Sequence, residues 1–209
     1  MAGQLARAYK SAMPSDDLVW KLGARLPGHD YRIFRTAFVD ARHPRTGVER
    51  RFSLIECADW VNVIAMTADH RVVLVSQYRP GNNTVCLEIP GGMIDPGESP
   101  TAAAMRELLE ETGYSGGVIY ELGSVAPNPA IQNNRLYTVL ALGVSKTTEP
   151  TPDGGECLDI TTAPLAEVQA KLRTGEIDHA LVVVAFGQLA LAQHELTADP
   201  ATFRSSRSS

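Results

Sequence analysis

The stretch from Gly92 to Tyr114 limits the fold of this chain more than any other. Ser99 is a typical N-cap, Pro100 suits the first helical position, and Gly113 suits the position just after a helix. The stretch therefore predicts a loop followed by a helix over Pro100–Thr112.

This predicted helix carries an acidic face. With about 100° of turn per residue, Glu107, Glu110 and Glu111 lie on the same side. Clustered carboxylates repel each other, and a hard divalent cation with oxygen ligands would relieve the repulsion. The alternative is a solvated charged face. The opposite, apolar side is expected to be buried: Ala102, Met105, Leu108 and Leu109.

The three glutamates of the acidic face belong to a longer sequence pattern. Gly92 is followed after five residues by Glu98, and after seven more by the run Arg106-Glu107-Leu108-x-Glu110-Glu111-x-Gly113. This pattern resembles the Nudix box. The resemblance implies an α/β fold, a Nudix-type α/β/α sandwich with a mixed sheet. It also implies cleavage of nucleoside diphosphates that are linked to a further group, with Mg²⁺ or Mn²⁺ as cofactor.

The resemblance also assigns roles within the box. It makes Glu107 and Glu111 the principal metal ligands, with Glu110 as a further ligand or a neighbour of the ligands. The backbone carbonyl of Gly91 is expected to reach the metal as well. Four other residues are expected to hold the loop and the helix in place, two of them by ion pairing: Gly92, Glu98, Arg106 and Gly113.

A general base is also needed, and the resemblance places it on a late loop. Glu156, which follows two glycines, occupies that position. The alternatives are that Glu156 is a plain surface residue, that Glu149 is the base, or that a box glutamate such as Glu110, oriented by Arg106, takes the proton.

Features outside the box resemble the ADP-ribose and nucleoside-diphosphate-sugar pyrophosphatases. Arg79 is expected to contact a phosphate, and Glu88 is expected at the site. Met93 would line the substrate cleft or the core, and Trp60 would stack on a base or be buried. Three segments carry this resemblance: Gln77-x-Arg79, Leu87–Gly92 and Gly175–Asp178.

The expected substrate is ADP-ribose or another nucleoside diphosphate sugar, cut to a nucleoside monophosphate and a sugar phosphate. The loop around Pro129 departs from the group's pattern and leaves the choice between these open. The alternatives are (d)NTPs, dinucleoside polyphosphates, or a non-catalytic domain that senses nucleotides.

Charge and composition argue against several other classes of protein. A net charge of -5 over 209 residues argues against binding to nucleic acid polymers. Three widely spaced cysteines do not suggest disulfides or a zinc site. We found no signal peptide and no apolar segment of membrane-spanning length, so a cytoplasmic protein is expected.

The chain is expected to contain two domains and a tail. Residues 1–57 would form a small N-terminal antiparallel β-domain, with a helix over 1–13 and strands at 20–22, 31–39 and 48–55. Its exposed strand edges predict a homodimer. Residues 58–197 would form the Nudix domain, with a mobile loop over 146–155 and a last helix over 180–194 that is buried nearly all round. Residues 198–209 would be a disordered tail.

Overall fold

The computed structural model describes residues 16–152, 155 and 157–198. The predicted helix over 1–13, the predicted base Glu156 and the tail from 199 onward lie outside these residues. The chain forms two compact units. One is Met1–Cys57 with Asn128–Asn133, and the other is Ala58–Pro127 with Asn134–Ser209.

The first unit contains a three-stranded antiparallel sheet, as the sequence predicts. A short 3-10 helix, Asp16–Leu18, precedes its strands. The strands are ordered β1-β2-β3 and span Lys21–Asp30, Arg35–Arg42 and Glu49–Glu56. The side chain of Trp20 packs edge-on against the rings of His43 and Phe52, with centroids 4.8 and 5.1 Å away.

The first hairpin differs from the prediction. β1 runs to Asp30, and the segment predicted as the start of the second strand is the turn Tyr31–Phe34. The Tyr31 N–H donates to the Phe34 carbonyl at 2.9 Å, and the Arg32 N–H donates to Asp30 Oδ1 at 2.8 Å. The Tyr31 and Phe34 rings stack at 4.9 Å. These aromatic residues, which usually favour strands, therefore stabilise a turn.

The second unit is built on an eight-stranded mixed sheet. Its central pair, β4 and β10, is parallel, and every other pairing is antiparallel. The order along the main path is β11-β5-β4-β10-β8, with β6 paired to β5, β7 to β4 and β9 to β10. The strands span Trp60–Thr67 (β4), Arg71–Arg79 (β5), Thr84–Glu88 (β6), Gly91–Met93 (β7), Tyr114–Ser115 (β8), Val118–Val125 (β9), Leu136–Lys146 (β10) and Leu158–Pro164 (β11).

Three helices cover the two faces of this sheet: α1 (Pro100–Thr112), α2 (Leu165–Thr174) and α3 (Ala180–Ala198). Alternating residues of β4 point to opposite faces. Val61 and Val63 belong to the buried cluster that contains α1, whereas Ile64 belongs to the cluster that contains α2 and α3. The predicted α/β/α sandwich with a mixed sheet is therefore confirmed.

One segment of this sheet differs from the prediction. Gly91–Met93, predicted as loop, is the short strand β7, because its backbone pairs with β4 from Trp60 to Asn62. β10 is the longest strand of this sheet and reaches Lys146, since it pairs with β9 along most of its length and with β8 at its end. Within the described residues, β11 begins at Leu158.

The buried side of α1 also differs from the prediction. Leu108 is buried as expected, but Leu109 is 38% exposed and Ala102 is exposed. Ala103 and Ala104 are fully buried instead, because their small side chains let the helix pack closely on the sheet. The buried side extends to Glu111, whose carboxylate has a backbone partner described below.

Two other expectations need correction. α3 is not buried all round, since Val183 is 45% and Leu191 79% exposed. Part of the loop predicted as mobile is hydrogen-bonded to the end of α1. The N–H groups of Thr147 and Thr148 donate to the Gly113 carbonyl at 2.8 and 3.2 Å, and the Thr151 N–H donates to the Glu110 carbonyl at 2.7 Å. Within the described residues, no helix is long and apolar enough to cross a membrane.

Candidate active site

Both ends of α1 are fixed by neighbouring residues. Ser99 Oγ accepts a hydrogen bond from the Ala102 N–H at 3.2 Å, and Pro100 occupies the first turn. At the other end Gly113 adopts φ 75°, and its N–H donates to the Leu109 carbonyl at 2.8 Å. The helix limits are those predicted, so its acidic residues are presented with the spacing that the sequence implies.

Arg106 is the centre of the polar network on α1. Its guanidinium donates to both carboxylate oxygens of Glu98, at 3.1 and 3.0 Å. It also donates to Glu107 at 2.9 Å, to Glu110 at 3.2 Å and to the Met93 carbonyl at 3.0 Å. One side chain thereby joins the loop before the helix to two of the three acidic residues on it.

The charges of this network stabilise one another. The hydrogen bonds from Arg106 lower the pKa of Glu98, and the same bonds, followed by those to Glu107, raise the pKa of Arg106. Glu98 also accepts from the Asp95 N–H at 3.2 Å, which closes the loop before α1. Glu98 and Arg106 therefore hold the loop against the helix.

Two of the box carboxylates contact β7. Glu111 is 4% exposed and accepts a hydrogen bond from the Gly91 N–H at 3.1 Å. Glu107 lies directly against Gly92, so that a Cβ at position 92 would collide with its carboxylate. Glycine at position 92 is therefore a requirement of this close approach. Glu107 and Glu111 together bring negative charge to the glycines of β7.

The chemistry of these donors fits a hard cation. In the described residues, no three His, Cys, Asp or Glu side chains converge closely enough to hold a metal ion on their own. Mg²⁺, however, commonly uses one or two carboxylates and takes its other ligands from water and substrate phosphates. Glu107 and Glu111, beside the backbone of Gly91, match that ligand set.

An open cleft of about 300 Å³ adjoins β7. Trp60, at the start of β4, is half-buried on its wall, and Met93 is 45% exposed. The cleft brings together six residues singled out in the sequence: Trp60, Arg79, Glu88, Gly91, Gly92 and Met93.

Arg79 and Glu88 form a bidentate ion pair at the cleft. Arg79 donates through Nε and Nη2 to the two carboxylate oxygens of Glu88, at 2.8 and 2.7 Å. The Glu88 side chain is 4% exposed, whereas that of Arg79 is 41% exposed. The hydrogen bonds to Glu88 raise the pKa of Arg79, and the charge of Glu111 raises it further. Arg79 thus lies in the field of Glu111, with part of its guanidinium open to the cleft.

Other predicted residues lie apart from the cleft lining. Gly113 ends α1, and Glu98 lies in the loop before it. Glu149, the alternative base, has a side chain that is 86% exposed and pairs with Lys146 at 3.1 Å. Glu110 is half-exposed beside Arg106.

Sequence reasoning missed two polar residues on the cleft wall, Asn62 and His179. Asn62 interrupts the apolar run of β4, and a single amide in a buried strand is a signal that could have been used. His179 directly precedes α3, and nothing in its neighbourhood in the sequence distinguishes it from an ordinary helix-start residue.

The fold and site together define an α/β/α sandwich with an acidic, arginine-centred helix beside an open cleft. A family model, NUDIX domain, matches residues 59–186. The chain therefore belongs to the Nudix hydrolase family.

Individual proteins and a solved structure are also similar to this chain. The chain is 39% identical to the ADP-sugar pyrophosphatase of Mus musculus over 124 residues, which are 55% of this chain and 57% of the mouse protein. It is 29% identical to the methanol dehydrogenase activator of Bacillus methanolicus over 163 residues, which are 78% and 88% of the two chains. A crystal structure of an ADP compounds hydrolase shares the fold, with a TM-score of 0.72 at 24% identity over 86% of this chain and 95% of that one.

Proposed function

We propose that this protein is a Mg²⁺-dependent pyrophosphatase for ADP-ribose or another nucleoside diphosphate sugar. Water attacks one phosphorus, the bridging P–O bond breaks, and the other phosphate leaves. The water supplies its hydroxyl to the attacked phosphate, and its remaining proton is released to the leaving phosphate or to solvent. The products are a nucleoside monophosphate and a sugar phosphate. Mn²⁺ would be able to replace Mg²⁺.

The observation that carries this proposal is an arginine at the cleft, Arg79, that lies in the electrostatic field of a box carboxylate, Glu111. Arg79 is held by Glu88 and lies in the field of Glu111. Its guanidinium is suited to the oxygens of a diphosphate. A diphosphate in the cleft would therefore meet a fixed positive group on one side and the metal-binding carboxylates on the other.

The residues of the Nudix box would bind the metal and keep its ligands in place. Glu107, Glu111 and the Gly91 carbonyl would hold the metal, with Glu110 beside them. The metal ion supplies charge neutralisation of the phosphate oxygens and activation of water. Arg106 holds Glu107 and Glu110 in place. Trp60 and Met93 supply apolar walls for the substrate.

The choice of substrate is supported by the mouse relative, whose name is ADP-sugar pyrophosphatase. We propose Glu156 as general base, with a box glutamate as the alternative. We also propose that residues 1–57 act as a separate domain that makes a homodimer. The first sheet has an edge strand, β1, whose residues are all exposed, including Leu22 at 68%.

Hydrolysis with Mg²⁺ tests the proposal directly. The substrates to compare are ADP-ribose, other nucleoside diphosphate sugars, NADH, oxidised dNTPs and dinucleoside polyphosphates, with the products identified. We expect AMP and ribose 5-phosphate from ADP-ribose. Preferred cleavage of a triphosphate or dinucleoside polyphosphate would show that the proposed substrate class is wrong. Tight binding of a nucleotide without any product would favour a sensing domain.

Replacing Glu111 by Gln tests the metal site. We expect kcat to fall at least about 100-fold, because the amide removes a charge that the metal needs. The matched control is Glu167→Gln on α2, whose side chain is 54% exposed and outside the cleft. Full activity of the Glu111 variant would refute the assignment, provided that its thermal unfolding matches that of the parent protein.

A further inference from the structure

The C-terminal end of α1 carries charges that oppose helix formation. Glu107, Glu110 and Glu111 all lie in its last two turns, and its last turn contains no basic residue. The C-terminus is the negative end of a helix dipole, so carboxylates destabilise the helix there. Arg106 offsets this effect in part, since it donates to Glu107 and Glu110. The turn that contains Glu111 is therefore expected to fray unless residues outside the helix hold it.

Residues 147–151, which we call the supporting segment, bind this end of α1. The last four carbonyl groups of a helix have no partner within it. One of them, the Glu110 carbonyl, accepts a hydrogen bond from the Thr151 N–H at 2.7 Å. The Gly113 carbonyl, directly after the helix, accepts from the Thr147 N–H at 2.8 Å. The supporting segment is thus attached to the helix end at two carbonyl groups.

The contact at Gly113 is too close for a residue with a side chain. Its φ of 75° lies in the left-handed region, and a Cβ at this position would collide with the Thr148 carbonyl oxygen. The Thr148 N–H also donates to the Gly113 carbonyl, at 3.2 Å. The hydroxyls of Thr147 and Ser115 are hydrogen-bonded at 2.8 Å. The supporting segment is therefore packed directly against the backbone that follows α1.

The supporting segment can affect the proposed metal ligands through the helix. None of residues 147–151 lines the cleft. Glu107 and Glu111 are one turn apart, so the separation of their carboxylates depends on this turn staying helical. Glu110, whose carbonyl accepts from Thr151, lies between them in the sequence. Because Mg²⁺ requires near-ideal octahedral geometry, a displaced carboxylate weakens its binding.

We propose that the supporting segment is a positioning element for the metal site. The Thr151 N–H keeps the last turn of α1 helical and so keeps Glu111 where a divalent cation binds. This inference rests on the metal-binding part of the proposed function. Thr151 is exposed and lies outside the cleft, so its effect on hydrolysis passes through the affinity for the cation.

Thr151→Pro removes the bond to the Glu110 carbonyl, because proline has no N–H. Thr151 already precedes Pro152, which restricts it to the extended conformations that proline also adopts. The change should therefore cause little backbone strain. Thr151→Ala is the matched control, since it shortens an exposed side chain and keeps the N–H.

Mn²⁺ alone is the probe for the site, because the paramagnetic resonance signal of free Mn²⁺ is lost on binding. We expect Thr151→Pro to raise the Kd for Mn²⁺ about three- to tenfold, the range that one hydrogen bond supports. Thr151→Ala should leave it unchanged. The Mg²⁺ concentration that gives half-maximal hydrolysis should rise by a similar factor in Thr151→Pro. At saturating Mg²⁺, kcat and KM should return to the parent values, which a general loss of folding would not allow.

Hydrogen exchange of the parent protein provides a second measurement that needs no variant. Coupling is reciprocal, so if the Thr151 bond strengthens cation binding, the cation strengthens that bond by the same factor. Exchange of the Thr151 amide, followed by NMR, should therefore slow about three- to tenfold when Mg²⁺ is added. The His70 amide donates to the Thr67 carbonyl at the end of β4 away from the cleft, and its exchange should not change.

Three outcomes would overturn the inference. One is a Kd for Mn²⁺ in folded Thr151→Pro that equals that of the parent protein. Another is an equal rise in Thr151→Ala, which would assign the effect to the side chain. The third is an exchange rate of the Thr151 amide that Mg²⁺ does not alter, and this measurement decides the matter if Thr151→Pro does not fold.

The same experiments separate this inference from the proposed function. If no diphosphate is hydrolysed but Thr151→Pro weakens Mn²⁺ binding, the proposed function fails and the positioning role stands. If a diphosphate is hydrolysed while the variant keeps the parent Kd for Mn²⁺, the positioning role fails and the proposed function stands. If the parent protein binds no Mn²⁺, the positioning role fails as well.

Discussion

Replacing Arg106 by Met should destabilise the protein in a manner that depends on pH. The guanidinium donates to Glu98 twice, to Glu107, to Glu110 and to the Met93 carbonyl. Glu98 and Glu107 have side chains that are only 18% and 16% exposed, so the variant leaves two sheltered carboxylates without their cation. Met retains most of the packing volume of the arginine stem, so the electrostatic loss dominates.

The expected loss of stability in the Arg106→Met variant follows from the solvent exposure of Arg106. Breaking a buried pair by removing one partner costs about 3–5 kcal/mol, whereas surface pairs are worth about 0–1 kcal/mol. Arg106 is 30% exposed, which places it between these limits and requires a discount for solvent screening. We expect a loss of about 2–3 kcal/mol at neutral pH, or roughly 4–12 °C in Tm for a chain of this size.

The pH dependence provides the sharper test. Arg106 lowers the pKa of Glu98 in the folded protein, so this stabilisation is present above the unfolded pKa and is lost as pH falls through the folded pKa. The difference in free energy of unfolding between parent and variant should therefore shrink as pH is lowered from 7 into the acid range. Urea titrations at a series of pH values measure it, with Arg106→Lys as the control that keeps the charge. A difference that stays constant with pH, or that is negligible at pH 7, would refute the reasoning.

Three further substitutions have defined outcomes. Gly92→Ala should displace the Glu107 carboxylate and lower kcat about 100-fold with little change in Tm, as measured by steady-state kinetics and thermal unfolding; unchanged kinetics would contradict the close approach. Glu88→Gln should raise KM for a diphosphate substrate about tenfold, because the amide no longer holds both nitrogens of Arg79; an unaltered KM would remove Arg79 from the phosphate site. Thr138→Val should increase the free energy of unfolding by about 1 kcal/mol in urea titrations, since it removes a buried hydroxyl that has no partner among the described residues, and a decrease would show that the hydroxyl is satisfied.

Local chemistry explains which parts of the fold the sequence predicts. The limits of α1 depend on Ser99, Pro100 and Gly113, each of which acts within one turn of a helix end. These limits can therefore be predicted from the sequence. The turn Tyr31–Phe34 could not be predicted in this way. It depends on ring stacking and on the hydrogen bond to Asp30, whereas Tyr and Phe usually favour strands. The exposed side of α3 was missed since composition alone does not show which apolar residues find a partner.

The candidate active site likewise combines features that the local sequence predicts with features that depend on the tertiary fold. The acidic residues of α1 are recognisable from their spacing, but the five hydrogen bonds of Arg106 depend on how the preceding loop folds back on the helix. Asn62 and His179 are distant in sequence, and each is an ordinary residue by itself. The cleft, formed by β4 and the start of α3, is what brings them together.

The capping of α1 at both ends has a consequence for how such a protein can be altered. Because Ser99 and Gly113 fix the helix through contacts within its own segment, its backbone limits do not depend on the larger side chains that line the cleft. Trp60 and Met93 can therefore be exchanged for other side chains while the acidic helix keeps its geometry. A library that varies only these wall positions would sample new ligands on an unchanged reaction centre.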